Sequence, residues 1–174
     1  MTKSELAIKI YEASHLTGDF LLRSGQRSNE YFDKYLFGSD PVLLKEIAVQ
    51  MKEIIPEDTE VLAGLEMGAV SIATALSLAT GIEAAFVRKT AKSYGTCKLA
   101  EGADIKGKQV CVIEDIVTTG GQVIESVREL RLAGASVEHV LCVIQRNENA
   151  MDILAKERLK LIPAFTMEYI KSAL

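Results

Sequence analysis

The sequence predicts an α/β protein with a central, mostly parallel sheet flanked by helices and a small N-terminal hood. Two patterns carry this expectation. Beyond Pro56, short apolar and β-branched runs alternate with segments of helical periodicity, the order of a parallel sheet with crossover helices. Those runs are apolar at consecutive positions, as in strands buried on both faces. At 174 residues and 48% hydrophobic content, the chain suits one compact domain spanning residues 1–174, with the hood drawn mainly from residues 1–40.

Leu6, Ile10 and Ala13 recur at helical spacing between Thr2 and Ala13, and Thr17-Gly18-Asp19 then predicts a turn. Residues 20–41 mix aromatics with polar residues and glycines, which suggests short extended pieces of the hood. Ser39-Asp40-Pro41 is a helix start signal, and Leu43, Leu44, Ile47, Met51, Ile54 and Ile55 continue one apolar face up to Pro56. Val61–Leu65 is expected as a strand, Ala69–Ala79 as a helix stopped by Gly81, and Ala84–Val87 as a further strand. Gln109–Ile113 is a β-branched run; Val123, Ile124, Val127 and Leu130 share a helical face that Gly134 ends. Val137–Ile144 completes the strands, and Asn149–Glu157 is expected as a helix.

A net charge of −4 gives no basic excess for nucleic acid, so any anion site must be local. Cys97, Cys111 and Cys142 form no CxxC pair, which argues against a zinc site or a disulfide framework and fits a reducing cytoplasm. The N-terminal stretch lacks the continuous apolar segment of a secretory signal. Val61–Val87 is long and apolar, but Glu66, Glu83 and three glycines interrupt it, so no membrane span is expected.

The chemistry concentrates in VCVIEDIVTTGGQ, Val110–Gln122. In an open α/β sheet, ligands sit outside the carboxyl ends of the strands, where Glu114–Gly121 falls. The following helix would offer free N–H groups and its positive dipole end to an anion. Thr118 and Thr119 add hydroxyls, and Gly120 and Gly121 permit close backbone approach. Glu114 and Asp115 cannot serve that anion: two like charges at ~4 Å cost about 4 kcal/mol at an effective dielectric of ~20. They can instead accept hydrogen bonds from vicinal hydroxyls and offset a developing positive charge. A sugar phosphate satisfies both halves of the string. An isolated acid pair would be better explained as a strand end that caps the following turn, but the full string argues against that.

The full string resembles the phosphoribosyl diphosphate (PRPP) signature of the type I phosphoribosyltransferases. Within that family the chain is similar to the orotate-specific members, through LLRSGQRSNEYFDKYLF, GLEMGAVSIATALS, FVRKTAKSYG and Arg146 in VIQRNENA. The resemblance implies a type I phosphoribosyltransferase fold and transfer of ribose 5-phosphate from PRPP to orotate. It also implies Mg2+ carried by PRPP with no protein-held metal, and a homodimer whose active sites are shared across the interface. It assigns PRPP to Arg88, Lys89, Lys92, Tyr94, Glu114, Asp115 and the 116–122 segment, Ile116, Val117, Thr118, Thr119, Gly120, Gly121 and Gln122. Lys92, Glu114 and Asp115 would be catalytic. Orotate falls to Lys34, Thr118 and Arg146.

Several of these residues have plainer readings. A run such as Arg88, Lys89, Lys92 is most often just a solvated face; the resemblance makes it part of a mobile basic loop that closes over the diphosphate. The polar stretch TCKLAEGADIKGK, residues 96–108, shows no periodicity and continues that loop. Tyr94 stands where many family members carry His, and would not be cationic near neutral pH. Gly102–Gln109 nearly matches a nucleotide-binding P-loop, but Gln109 replaces the Ser/Thr, and the string precedes a strand, which predicts a turn. Arg146 fits a surface arginine equally well by position, and the orotate carboxylate by resemblance. Tyr35 and Phe37 could stack on a base or simply pack under the hood. Glu66-Met67-Gly68-Ala69 links a strand to a helix and offers a second anion cradle, in which an inward Glu66 would repel diphosphate. His15 and His139 are too isolated for a metal site. Two rivals share the signature: a transferase for another nucleobase, and a non-catalytic PRPP sensor.

Overall fold

The computed structural model describes residues 1–22, 25–90 and 98–174. α1 (Lys3–Ser14) begins at a capping box: Glu5 N–H donates to Thr2 Oγ1 at 3.2 Å, and Thr2 N–H donates to Glu5 Oε2 at 2.8 Å. β1 (His15–Leu21) and β2 (Arg27–Phe32) pair as an antiparallel hairpin that forms its own sheet. α2 (Lys34–Ser39) follows, capped by Asp33, and α3 (Pro41–Lys52) starts at Asp40, whose Oδ1 accepts from Val42 N–H and Leu43 N–H. α3 stops before Ile54 and Ile55, which lie in a turn instead of continuing the helix to Pro56.

The main sheet takes β3 (Val61–Leu65), β4 (Glu83–Val87), β5 (Ala100–Gly102), β6 (Gln109–Val117), β7 (Ser136–Gln145) and β8 (Lys160–Thr166), in spatial order β5-β4-β3-β6-β7-β8. Every pairing is parallel except that of β5 with β4. α4 (Gly68–Thr80) joins β3 to β4 and ends at Gly81, whose φ of 79° supplies the left-handed cap. α5 (Gly121–Leu132), α6 (Ala150–Ala155) and α7 (Met167–Ser172) complete the chain.

Two cores sandwich the sheet. Leu6, Phe37, Ile47, Met51, Ile72 and Phe165 gather on one face with α1 to α4 and α7. Ala63, Val112, Val127, Leu130, Val140 and Leu154 gather on the other with α5 and α6. Leu62 and Ala63, adjacent in β3, enter opposite cores, which is why the strand had to be apolar throughout. α1 contributes Leu6, Ala7 and Ile10 to the first core, so within residues 1–40 it is the hairpin that forms a separate sheet.

Further expectations change. Thr17-Gly18-Asp19 lies within β1, where the pairing with β2 shifts register between Thr17 and Phe20, and does not form a turn. β6 does not end at Ile113 but runs on to Val117, so Glu114 and Asp115 lie inside a strand. Part of the unpatterned 96–108 stretch is β5, whose three residues are too few for a period to show. β8 and α7 follow the last expected helix, which itself shortens to α6. Gly107 does make the expected turn, with φ 74° and its N–H bonded to Gly134 O at 2.8 Å. Among the described residues no helix is long and apolar enough to cross a membrane.

Candidate active site

β3 is hydrogen-bonded to β4 on one side and β6 on the other. The chain therefore leaves neighbouring strand ends in opposite directions at β3 and β6, and such a switch point opens a crevice at the carboxyl edge. Glu66-Met67 leave β3 for α4, and Thr118–Gly120 leave β6 for α5. Arg88 follows β4, and Arg146 follows β7 with its N–H bonded to Val117 O at 2.8 Å.

Asp115 is 1% exposed and Glu114 9%. Asp115 Oδ1 accepts from Ile116 N–H at 2.6 Å and from Lys34 Nζ at 3.0 Å, while Oδ2 lies 2.8 Å from the same ammonium as a charge contact without hydrogen-bond alignment. Glu114 Oε1 accepts from Asp115 N–H at 2.8 Å. Burial, reinforced by the Asp115 charge, pushes the Glu114 carboxyl up to about 9. Half-burial opposes the charge of Lys34, but its hydrogen bond to Asp115 and the charges of both acids outweigh that, and its pKa is raised. The site at rest thus holds one buried carboxylate with its own cation and a second carboxyl that favours its proton.

The segment after β6 is left open. Thr118, Thr119, Gly121 and Gln122 are exposed, Gly120 takes φ 81°, and no side chain caps α5. The first N–H groups of that helix thus keep their capacity for an anion. Gly120 packs on α6, where an added Cβ would come 3.1 Å from Leu154 Cγ.

Glu66 lines the crevice beside Lys34 and Arg88 and is held there by backbone. Its Oε1 accepts from Lys89 N–H at 2.5 Å, tying the loop after β3 to the segment after β4, so its charge is spent on backbone and the feared repulsion is reduced. Gly68 lies so close to Asp115 that an added Cβ would overlap Oδ2. Arg88 stands 3.9 Å from Glu101 of β5.

Two clefts open near the carboxyl edge of the sheet, the first lined by Lys34 and Gly68, which touch Asp115, and the second by Arg146. A cleft of about 630 Å3 is lined by Lys34, Tyr35, Glu66, Gly68 and Arg88 among others. Another, of about 410 Å3 beneath the hairpin, is lined by His15, Glu30, Tyr31, Phe32, Arg146 and Lys171. Lys34 and Arg146 line different clefts, so the structure brings Lys34 to Asp115, Gly68 and Arg88. Phe37 is wholly buried, whereas Tyr35 borders the first cleft. Lys92 and Tyr94 lie outside the described residues. Phe32 and Lys171 escaped the sequence reading: Phe32 lies within the LLRSGQRSNEYFDKYLF stretch but was given no role, Lys171 lies outside every quoted motif, and 139 positions separate them (171 − 32).

Residues 41–169 match the family model of the phosphoribosyl transferase domain. An orotate phosphoribosyltransferase of Nocardioides sp. is 49% identical over 168 residues, covering 97% of this chain and 94% of that protein. One from Methanocella arvoryzae is 41% identical over 143 residues, 82% of each chain. Among solved structures, the Mycobacterium tuberculosis orotate phosphoribosyltransferase bound to Fe(III) dicitrate superposes with a TM-score of 0.87 at 30% identity, covering 97% of this chain and 98% of that one. The same enzyme in complex with PRPP gives 0.83 at 28% identity, with the same coverage. With a family model spanning most of the chain and relatives matched nearly end to end, the chain belongs to the type I phosphoribosyltransferases, in their orotate phosphoribosyltransferase branch.

Proposed function

We propose that the protein transfers the 5-phosphoribosyl group of PRPP to orotate, giving orotidine 5'-monophosphate and diphosphate, a step of de novo pyrimidine (UMP) biosynthesis. One observation supports this most directly: buried Glu114 and Asp115 lie on the strand that leads into the uncapped N-terminus of α5, at the sheet's switch point. Hydroxyl acceptors and a phosphate cradle then stand at the two ends of one ribose 5-phosphate.

In this reading the 5'-phosphate is held by backbone N–H groups of residues 116–122 and the hydroxyls of Thr118 and Thr119. The ribose hydroxyls donate to Glu114 and Asp115, taking over acceptor positions that Lys34 fills at rest. The bond from ribose C1 to diphosphate breaks with its electron pair passing to the leaving oxygen. The orotate ring nitrogen donates a lone pair to C1 and sheds its proton. Positive charge gathers on the ribose between these events, and the buried Asp115 carboxylate stabilises it strongly because little water intervenes, while the same charge favours ionisation of Glu114. Arg88, Lys89 and Lys92 balance the departing diphosphate.

Lys34, sharing a cleft with Arg88 and Gly68, belongs on the PRPP side. Arg146 meets the orotate carboxylate, with Phe32 and Tyr31 beside the ring. Magnesium would come with PRPP and would supply charge neutralisation at the diphosphate. Glu66 is engaged by a backbone N–H and Asp115 by Lys34, so substrate oxygens would supply most of the ion's ligands. A homodimer follows if the segment carrying Lys92 serves the neighbouring subunit, and the absence of a CxxC pair or disulfide framework in the sequence makes the cytoplasm the expected compartment.

The test is orotidine monophosphate formation from orotate and PRPP with magnesium. Turnover of adenine or hypoxanthine but not orotate would overturn the substrate, and PRPP binding without turnover of any base would favour the sensor.

A further inference from the structure

We propose that Gln145 is a positioning residue for Arg146, holding the guanidinium where it reads the carboxylate of the pyrimidine. The proposal rests on the orotate transferase reading above. β7 ends at Gln145, and Arg146 is the first residue beyond it. On one side the Arg146 backbone is fixed by its N–H bond to Val117 O, the last residue of β6. On the other side the chain turns through Asn147 and Glu148. There the Gln145 amide gathers both carbonyls, with Nε2 donating to Asn147 O at 3.2 Å and to Glu148 O at 3.4 Å.

A buried amide is unusual at the end of a strand whose preceding residues are apolar. Gln145 is 4% exposed, beside Cys142, Val143 and Ile144, which are wholly buried. Its Oε1 is buried and has no hydrogen-bond partner among the described residues. An apolar residue would fill the position without that cost. What the amide alone provides is a two-pronged hold on the turn that immediately follows Arg146. Side chains that orient a binding group from behind are typically worth a measurable share of affinity.

The turn has other supports. Asn147 Oδ1 accepts from Asn149 N–H at 3.0 Å, and Ala150 and Leu154 of α6 are fully buried. Loss of the Gln145 amide is therefore expected to loosen the turn next to Arg146 more than α6 itself, and to spare the Gly120 segment that rests on Leu154.

Gln145→Met keeps the length and removes the donor. It is expected to raise KM for orotate about tenfold with kcat within about threefold, and to leave KM for PRPP within about twofold. Introduced into Arg146→Ala, the same change adds less than about twofold, because the residue it serves is gone. Gln145→Glu supplies the readout that a purely structural role would not move. Its carboxyl can donate only when protonated, so its orotate KM recovers as pH falls, relative to wild type. Equal losses for orotate and PRPP, an undiminished effect in Arg146→Ala, or a Gln145→Glu profile parallel to wild type would each overturn the proposal. Should Gln145→Met not fold, the Gln145→Glu pH profile decides alone. Failure of the underlying reading is distinct: the wild-type protein would then not convert orotate at all.

Discussion

Lys34 and Asp115, 81 residues apart in sequence, form an ion pair with Nζ 2.8 Å from Oδ2 and 3.0 Å from Oδ1. The hood side of the molecule thus neutralises the acid assigned to the ribose, and a substrate hydroxyl must compete with an ammonium. Lys34 is 38% exposed on its side chain and Asp115 1%, so water screens one partner only. Lys34→Met leaves Asp115 buried without its cation. After discounting for that screening, a loss of about 1–2 kcal/mol is expected, read as a melting temperature lowered by roughly 2–8 °C. If Lys34 serves PRPP, KM for PRPP rises about tenfold or more while KM for orotate moves less than about threefold. A larger shift for orotate than for PRPP would return Lys34 to the pyrimidine.

Glu114 gives a pH dependence whose sign is fixed by the direction of its shift. Its folded value, pushed up to about 9, lies above the ordinary 4.5. Between those limits the folded protein binds more protons than the unfolded chain, so this group makes stability fall as pH rises, by at most about 1.4 kcal/mol per pH unit. Lys34 is also raised, from 10.5, and its contribution is complete below that value and lost only above it. It therefore adds no slope in the neutral range. Glu114→Gln cannot ionise, and its unfolding free energy in urea should decline less between pH 5.5 and 8.5 than that of wild type. Parallel curves for the two proteins would count against a protonated Glu114 at rest.

The strand and helix alternation from Val61 to Ile144 was legible because burial on both faces leaves no polar positions to interrupt the apolar runs. The 110–122 string was legible because its ligands are consecutive. Two adjacent acids looked like a strand end, since a strand interior seldom carries them; β6 continues to Val117 because Lys34 offsets Asp115 and Glu114 favours its neutral form. That compensation comes from α2 and leaves no trace near residue 115. Likewise the fixing of Glu66 by Lys89 N–H joins the ends of two strands 23 residues apart, and only sheet order brings them together. β5 was hidden by its length, and the cleft under the hairpin by assembly from both ends of the chain.

Two glycines of the site separate packing from ligand approach. A Cβ at Gly68 would overlap Asp115 Oδ2, so Gly68→Ala must displace the acid or the start of α4. It is expected to cost about 1–3 kcal/mol and to raise KM for PRPP strongly. At Gly121 the nearest atom to an added Cβ is Thr119 Oγ1 at 3.9 Å, an ordinary contact. Gly121→Ala should fold within about 0.5 kcal/mol of wild type and lose PRPP affinity only if the backbone approaches the phosphate closely. Melting curves and PRPP titrations on both variants check this, and an intact PRPP affinity in Gly68→Ala would argue against the placement of Asp115 at the ribose.

Sharing of sites between subunits can be tested with two inactive proteins. Asp115 lies on β6, in the body of its own subunit, whereas Lys92 is proposed to serve the neighbour. If so, a dimer of one Lys92→Ala and one Asp115→Asn subunit contains one site with both defects and one with neither. Random exchange of equal amounts makes about half the dimers mixed, so about a quarter of all sites are intact. Two proteins with negligible separate activity should then recover about a quarter of wild-type kcat per subunit, with unchanged KM values. If Lys92 acts within its own subunit, every site in the mixed dimer carries one defect and nothing is recovered. Subunit exchange must be verified independently, by native mass spectrometry of a tagged partner, so that absence of recovery counts against sharing and not against mixing.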